Sequence, residues 1–204
     1  MIVFDLVHAP VTYGIIFVTL LASGYALYVD NDVIGRFCFQ VRAILAKRQY
    51  YRLLTSVFFH ADPIHFLFNM LTLFFFGRFM ESMLGSTKFL ILYFGAEMAA
   101  SLYSLWAKRE MPSYASIGAS GAVSGVVFSF CLYRPFADIY LFFIPIGIPA
   151  ILYAFVYVAY SMYAMRGPGV GIAHEAHLGG AVGGIVLAML LDPRAFSIFL
   201  SYFR

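Results

Sequence analysis

Charge is scarce in this chain: Asp, Glu, Lys and Arg make up 11% of 204 residues, and there are only two cysteines and one tryptophan. Each shortage closes a class of explanation. A water-facing domain carries about 25% charged residues, so this chain has too little polar surface to clothe one. Two cysteines cannot build the disulfide framework of a small secreted scaffold. Cys38 and Cys131 stand in no metal or redox spacing and read as incidental thiols. Thirteen basic against ten acidic residues leave a net charge of +3, with no basic run of the kind that binds nucleic acid. No nucleic-acid partner is expected. Residues 1–10 lack the positive region and cleavage site of a signal peptide, so the first apolar stretch is expected to remain in the mature protein.

What is abundant is apolar surface. Hydrophobic residues reach 63% and the mean hydropathy is +0.87, the composition of a chain solvated by a lipid bilayer. In lipid, a spanning helix satisfies its own backbone where an isolated strand cannot. Uncharged runs of about 20 residues predict an all-α, polytopic membrane protein with six spans, near 10–29, 63–84, 89–107, 116–133, 139–165 and 174–191. They are read as one membrane domain over residues 1–204. Pro145 and Pro149 are expected to bend the fifth span. The long first connection, 30–62, mixes Arg42, Lys47, Arg48 and Arg52 with Phe37, Phe39, Ile44 and Tyr51, and reads as a segment lying at the membrane surface. Positive charge does not fix orientation. With the N-terminus inside, five basic residues fall inside and eight outside, a balance that reverses to five against three when the first connection is set aside.

Polar residues within spans are costly and mark functional candidates. His65 and Asn69 lie four apart on the second span, Ser120 near the start of the fourth in Gly118-Ala119-Ser120-Gly121, and His177 near the start of the sixth. Even-numbered spans run the same way, so these residues are expected at one end of the bundle. Gly121 and Gly125 are spaced by four, as are Gly180 and Gly184 and the pair Gly179 and Gly183, a spacing that lets helix backbones approach. Taken singly, Ser120 reads as a packing residue and His177 as an interfacial histidine. Together with both glycine faces they suggest a serine nucleophile and a histidine base. Gly-x-Ser-Gly here is not the nucleophile elbow of soluble hydrolases, because Ala122 stands where a glycine is needed. A zinc site is disfavoured: His174 and His177 are three apart, His60 and His65 five, and no acidic third ligand is evident.

These residues resemble the rhomboid family of intramembrane serine proteases. His65-x-x-x-Asn69, Gly118-Ala119-Ser120-Gly121 and His177 followed by Gly180 and Gly184 look like its three motifs, and Arg52 and Glu81-x-x-x-Gly85 look like its structural arginine and Glu-x-x-x-Gly motif. Two departures stand out. Tyr51 replaces the tryptophan usual before that arginine, and Ser124 stands where some members place an aromatic ring against the catalytic histidine. The resemblance implies a six-helix rhomboid-like bundle and cleavage of single-span transmembrane substrates by a Ser120–His177 dyad, with no cofactor and no metal. The oxyanion hole is expected from His65, Asn69 and the Ser120 backbone N–H, with Gly118 supporting it. Arg52 and Glu81 read as a structural charge pair. His60 and His174 read as interfacial histidines, and residues 167–171 as a movable cover. A multi-pass protein of a bacterial inner membrane, its site opening to the extracytoplasmic side, is the expected setting. Two other readings stay open: an inactive relative that binds transmembrane clients, and a small transporter or channel whose path is lined by Ser120, His177 and Glu97.

Overall fold

The computed structural model describes residues 9–140, 146–164 and 173–204. Helix α1 (Pro10–Tyr28) opens with proline at its first turn, where the missing N–H is no loss. Short helices α2 (Asp32–Phe37), α3 (Val41–Leu45) and α4 (Arg52–Thr55) follow. A second long helix then runs from Pro63 to Leu84 as α5 (Pro63–Thr72), a π-helical turn (Leu73–Gly77) and α6 (Arg78–Leu84). Asp62 caps it, accepting the His65 N–H at 2.8 Å in front of Pro63, the usual way to start a helix. Gly85, at φ 79°, turns the chain straight into α7 (Ser86–Lys108). The remaining helices are α8 (Ser120–Tyr133), α9 (Ala150–Ala164), α10 (His174–Leu191) and α11 (Ala195–Ser201).

Among the described residues four helices are long and apolar enough to cross a membrane: Pro10–Tyr28, Pro63–Leu84, Ser86–Lys108 and His174–Leu191. The two shorter apolar helices, α8 and α9, occupy the places expected for the fourth and fifth spans, with later starts. Residues 115–116 are not helical. They form β2, paired antiparallel with β1 (Phe39–Gln40), so that Phe39 faces Ser116. In the fifth segment, β3 (Asp138–Tyr140) and β4 (Gly147–Pro149) form a hairpin before α9 begins. Pro149 therefore introduces a helix rather than bending one; Pro145 and the glycine-rich stretch 167–171 lie outside the described residues. The all-α expectation thus holds for the bundle but misses the four short strands among the described residues.

The first connection is also packed against the bundle. Its cations Arg42, Lys47 and Arg48 are exposed, but Phe39, Val41, Ile44 and Leu53 are buried in a cluster against Met98, Leu105 and Tyr114. It packs on α7 and, through the β1–β2 pair, holds the strand that leads into α8.

The main core joins α5, α7, α8 and α10 around fully buried Leu73, Phe89, Leu92, Tyr93 and Val126. Within it α7, α8 and α10 approach closest, because glycine removes the side chains between them. A Cβ on Gly180 would strike the Gly121 backbone, and one on Gly184 the Gly125 backbone. On the adjacent face of α10, a Cβ on Gly179 would lie 3.0 Å from the Ala99 carbonyl, and one on Gly183 would strike Ala99 Cβ. The two glycine faces of α10 therefore serve two neighbours, α8 and α7. Ser129 ties the first seam, donating to the carbonyls of Gly125 at 2.7 Å and Gly184 at 3.0 Å.

Candidate active site

Ser120 is the first residue of α8, and the loop before it is held by its backbone. The Gly118 N–H donates to the Ser56 carbonyl at 3.2 Å, and the Ala119 N–H donates to His60 Nε2 at 3.3 Å. Gly118 has φ +124°, and a Cβ there would lie 2.5 Å from the His65 ring, so glycine is required twice over, by conformation and by space. Beyond this turn, the first N–H groups of α8 have no partner within the helix and point out of its N-terminus, which carries partial positive charge.

The acceptor role of Nε2 fixes the His60 tautomer. Nδ1 must carry the hydrogen and donate to Ser23 Oγ on α1 at 3.0 Å, and Ser23 donates onward to the Phe58 carbonyl. His60 is fully buried. Burial pushes its pKa down to about 3; neighbouring His65 adds to the shift and Asp62 opposes it. The expectation of an interfacial histidine fails because this ring is an internal strut between α1 and the Ser120 loop.

His177 stands on the first turn of α10. Gly180, one turn later, meets Gly121, which directly follows Ser120. That contact brings Ser120 and His177 to one cavity of about 130 Å³, lined also by Thr72, Val123, Ser124, Phe128, Tyr153 and Tyr157. Tyr157, from α9, stacks on the His177 ring with centroids 6.0 Å apart and planes at 27°. The start of α10 is anchored outside the cavity by Glu175, which accepts from the Tyr114 hydroxyl and pairs with Lys108 at 3.8 Å. Burial, then Glu175 itself, raises the pKa of Tyr114.

His65 and Asn69 lie across from Ser120 on α5. The His65 ring covers Gly118 and meets His60 edge-on at 5.0 Å. Asn69 is buried and its Nδ2 donates back to the His65 carbonyl at 2.9 Å. Behind Ser120 a smaller recess, about 20 Å³, is lined by Ser56, Glu97, Ser101, Ser104 and Ser116. Glu97 Oε1 accepts from Ser56, in the turn after α4, at 3.3 Å and from Ser101, one turn further along α7, at 3.4 Å, bonds that give a mid-span carboxyl its partners.

The arrangement puts a hydroxyl and an imidazole on one cavity at the N-terminal ends of α8 and α10, with the His65 ring against the turn that precedes Ser120. Comparison with known proteins gives it a lineage: the Rhomboid domain is matched over residues 47–194. The chain belongs to the rhomboid family. Rhomboids are membrane-integral and generally intramembrane serine proteases. This rhomboid is 35% identical to the mitochondrial rhomboid protein 1 of Saccharomyces cerevisiae over 134 residues, 64% of this chain and 39% of the yeast protein. It is 28% identical to the rhomboid protease GluP of Bacillus subtilis over 167 residues, 81% of this chain and 31% of GluP. It is also 28% identical over 88 residues, 43% of this chain and 25% of the relative, to the inactive RHOMBOID-like protein 8 of Arabidopsis thaliana. The chain thus spans well under half the length of each of these three relatives.

In this rhomboid Arg52 and Glu81 are not a pair. Arg52 is buried and donates to the carbonyls of Gly35 at 2.9 Å and Cys38 at 2.8 Å, and to Gln49 Oε1 at 2.7 Å, bracing the first connection. Glu81 accepts from the backbone N–H groups of Val11 at 2.9 Å and Thr12 at 2.7 Å, from the Thr12 hydroxyl at 2.7 Å and from Ser86. It is a helix cap supplied from another helix. Sequence reasoning put these charges together because buried opposite charges usually seek each other; here each finds peptide dipoles instead. It also missed Ser56, His60 and Tyr157. Only Asp62-Pro63 carried a readable local signal, the start of a helix. The side-chain hydrogen-bond partners of Ser56, His60 and Tyr157 lie 33 or more residues away in sequence or are backbone groups, as in Ser23 with His60 and Ser124 with Tyr157.

Proposed function

We propose that this chain is an intramembrane serine endopeptidase that cleaves single-span membrane proteins near the end of their transmembrane helix. The observation that carries the reading is the common cavity of Ser120 and His177 in a chain of the rhomboid family. Ser120 Oγ attacks the scissile carbonyl while His177 takes its proton, and the imidazolium then protonates the leaving amine. A water molecule, activated by the same imidazole, hydrolyses the acyl-enzyme. No carboxylate is needed to complete a triad: Glu175 is engaged by Tyr114 and Lys108. The oxyanion is received by the Ser120 N–H, the His65 ring and Asn69, whose Nδ2 leaves the His65 carbonyl to do so.

Six membrane passages follow if α8 and α9 count as spans. At 14 residues α8 is about 21 Å long, short of the ~30 Å hydrocarbon core. Its N-terminus then lies beneath the surface, within reach of a substrate helix and of water from the polar side. We place the protein in a bacterial inner membrane with the cavity opening to the extracytoplasmic side, and substrate approaching between α5 and α9. The deciding experiment is fluorophosphonate labelling of purified wild type, Ser120→Ala and His177→Ala, each with its melting temperature, paired with cleavage of a single-span reporter bearing small residues near its outer end. Labelling and cleavage in wild type alone support the reading. A folded wild type that neither labels nor cleaves favours an inactive client-binder, and ion or solute flux through liposomes without labelling favours a transporter.

A further inference from the structure

We propose that Tyr157 on α9 is the positioning residue for His177, and that its bond to Ser124 transmits the placement of α9 to that imidazole; this rests on the dyad reading above. His177 stacks on Tyr157 at 27°, and no carboxylate contact takes that place among the described residues. The tyrosine ring is itself fixed from three sides. Its hydroxyl bonds Ser124 Oγ at 3.0 Å, Phe128 packs at 5.4 Å and Tyr153 at 5.7 Å. An aromatic ring held at both its face and its hydroxyl can fix the rotation of a neighbouring imidazole.

The small side chain at position 124 is part of the device. Ser124 lies one turn after Ser120 on α8, and a large side chain there would fill the space that Tyr157 takes from the opposite helix. One turn towards the helix ends the pattern repeats: Tyr160 meets His174 edge-on at 5.5 Å, and His174 meets His177 at 6.2 Å. Two tyrosines three apart on α9 thus face two histidines three apart on α10, as antiparallel helices require. The rings form a seam between a catalytic helix and a helix that borders the cavity, so displacing α9 withdraws the support from His177.

The test uses full-length protein in detergent, as wild type, Tyr157→Phe, Tyr157→Leu, and Tyr157→Leu combined with Ser124→Tyr, with two readouts. The first is the pH profile of the fluorophosphonate labelling rate at Ser120. The second is the NMR resonance of the His177 ring in histidine-labelled protein, assigned with His177→Gln. Tyr157→Leu is expected to slow labelling by about tenfold or more, to displace the pH midpoint and to move the His177 resonance as the ring current disappears. Tyr157→Phe, which keeps the stack and loses the Ser124 bond, is expected to fall about threefold with a smaller resonance shift. Restoring a ring from α8 in the double variant should recover part of the rate. An unchanged labelling profile and resonance in a folded Tyr157→Leu protein would overturn the proposal. A wild type that never labels, yet whose His177 resonance moves on Tyr157→Leu, sinks the protease reading and leaves the positioning role standing.

Discussion

His177 is held by two regions built on opposite principles. On one side α7, α8 and α10 meet backbone to backbone through Gly121, Gly125, Gly179, Gly180, Gly183 and Gly184, with Ser129 bridging carbonyls of two helices. On the other side α9 meets α10 through side-chain rings, and its outer face leaves Phe155 and Tyr163 about three-quarters exposed. Backbone contact of this kind is close to all-or-none, because interiors are packed to crystal density and a missing or added methyl is felt at once. Ring contacts contribute about 0.5–1.5 kcal/mol each and can be broken one at a time. The difference separates two duties: the glycine seam sets the distance between Ser120 and His177, and the ring seam sets how the imidazole is turned.

The largest expected effect breaks the firm side. Gly184→Leu must push its new side chain into the Gly125 backbone and should lower stability by about 3 kcal/mol or more, read as lost folded yield and a depressed melting temperature. Phe155→Ala, on the outer face of α9, should change the melting temperature little. Equal losses in the two variants would erase the contrast.

A middle-sized effect comes from the strut beneath the Ser120 loop. His60 stays neutral in the folded protein down to about pH 3, whereas an unfolded histidine takes a proton near 6.5. Between those values the unfolded state binds more protons, so the contribution is complete above about pH 6.5 and is lost as pH falls. From pH 7 to 5 the loss is about 2 kcal/mol, or roughly 4–8 °C in melting temperature. His60→Gln should start lower at pH 7 and flatten that slope. A slope unaffected by the substitution would remove His60 from the acid response.

The smallest effect tests whether the glycine seam needs its bridging hydroxyl. Ser129→Ala should cost about 1 kcal/mol, a melting shift of roughly 2–4 °C, with Ser120 labelling retained. A loss as large as that of Gly184→Leu would mean that the bridge, and not the glycine contact, holds α8 to α10.

Much of this was legible because it is periodic. The apolar runs, the four-residue glycine spacing and the common polarity of α5, α8 and α10 follow from helix geometry alone; in the structure Ser120 and His177 line one cavity and the His65 ring meets Gly118. What could not be read depends on partners without local pattern. The β1–β2 pair joins Phe39 to Ser116, 77 residues further along the chain, and neither strand is long enough to show alternation. Glu81 and Arg52 were mispaired because sequence reveals charges and hides peptide dipoles. Ser124 was legible as a missing ring, but nothing near it in sequence announced that Tyr157 would supply one.

The cap on α1 puts a clock into the assembly of this bundle. Val11 and Thr12 receive the Glu81 carboxylate from 70 and 69 residues further along the chain. At ordinary rates of translation that is a wait of roughly 4–14 seconds. For most of it the first long helix is complete but its leading N–H groups have no carboxylate to meet. Its berth is therefore decided late, when the α6–α7 corner arrives and fixes which end of α1 it grips. Until then α1 has its ties at Ser23, to Phe58 and His60, and the corner at Gly85 adds the grip on its opposite end.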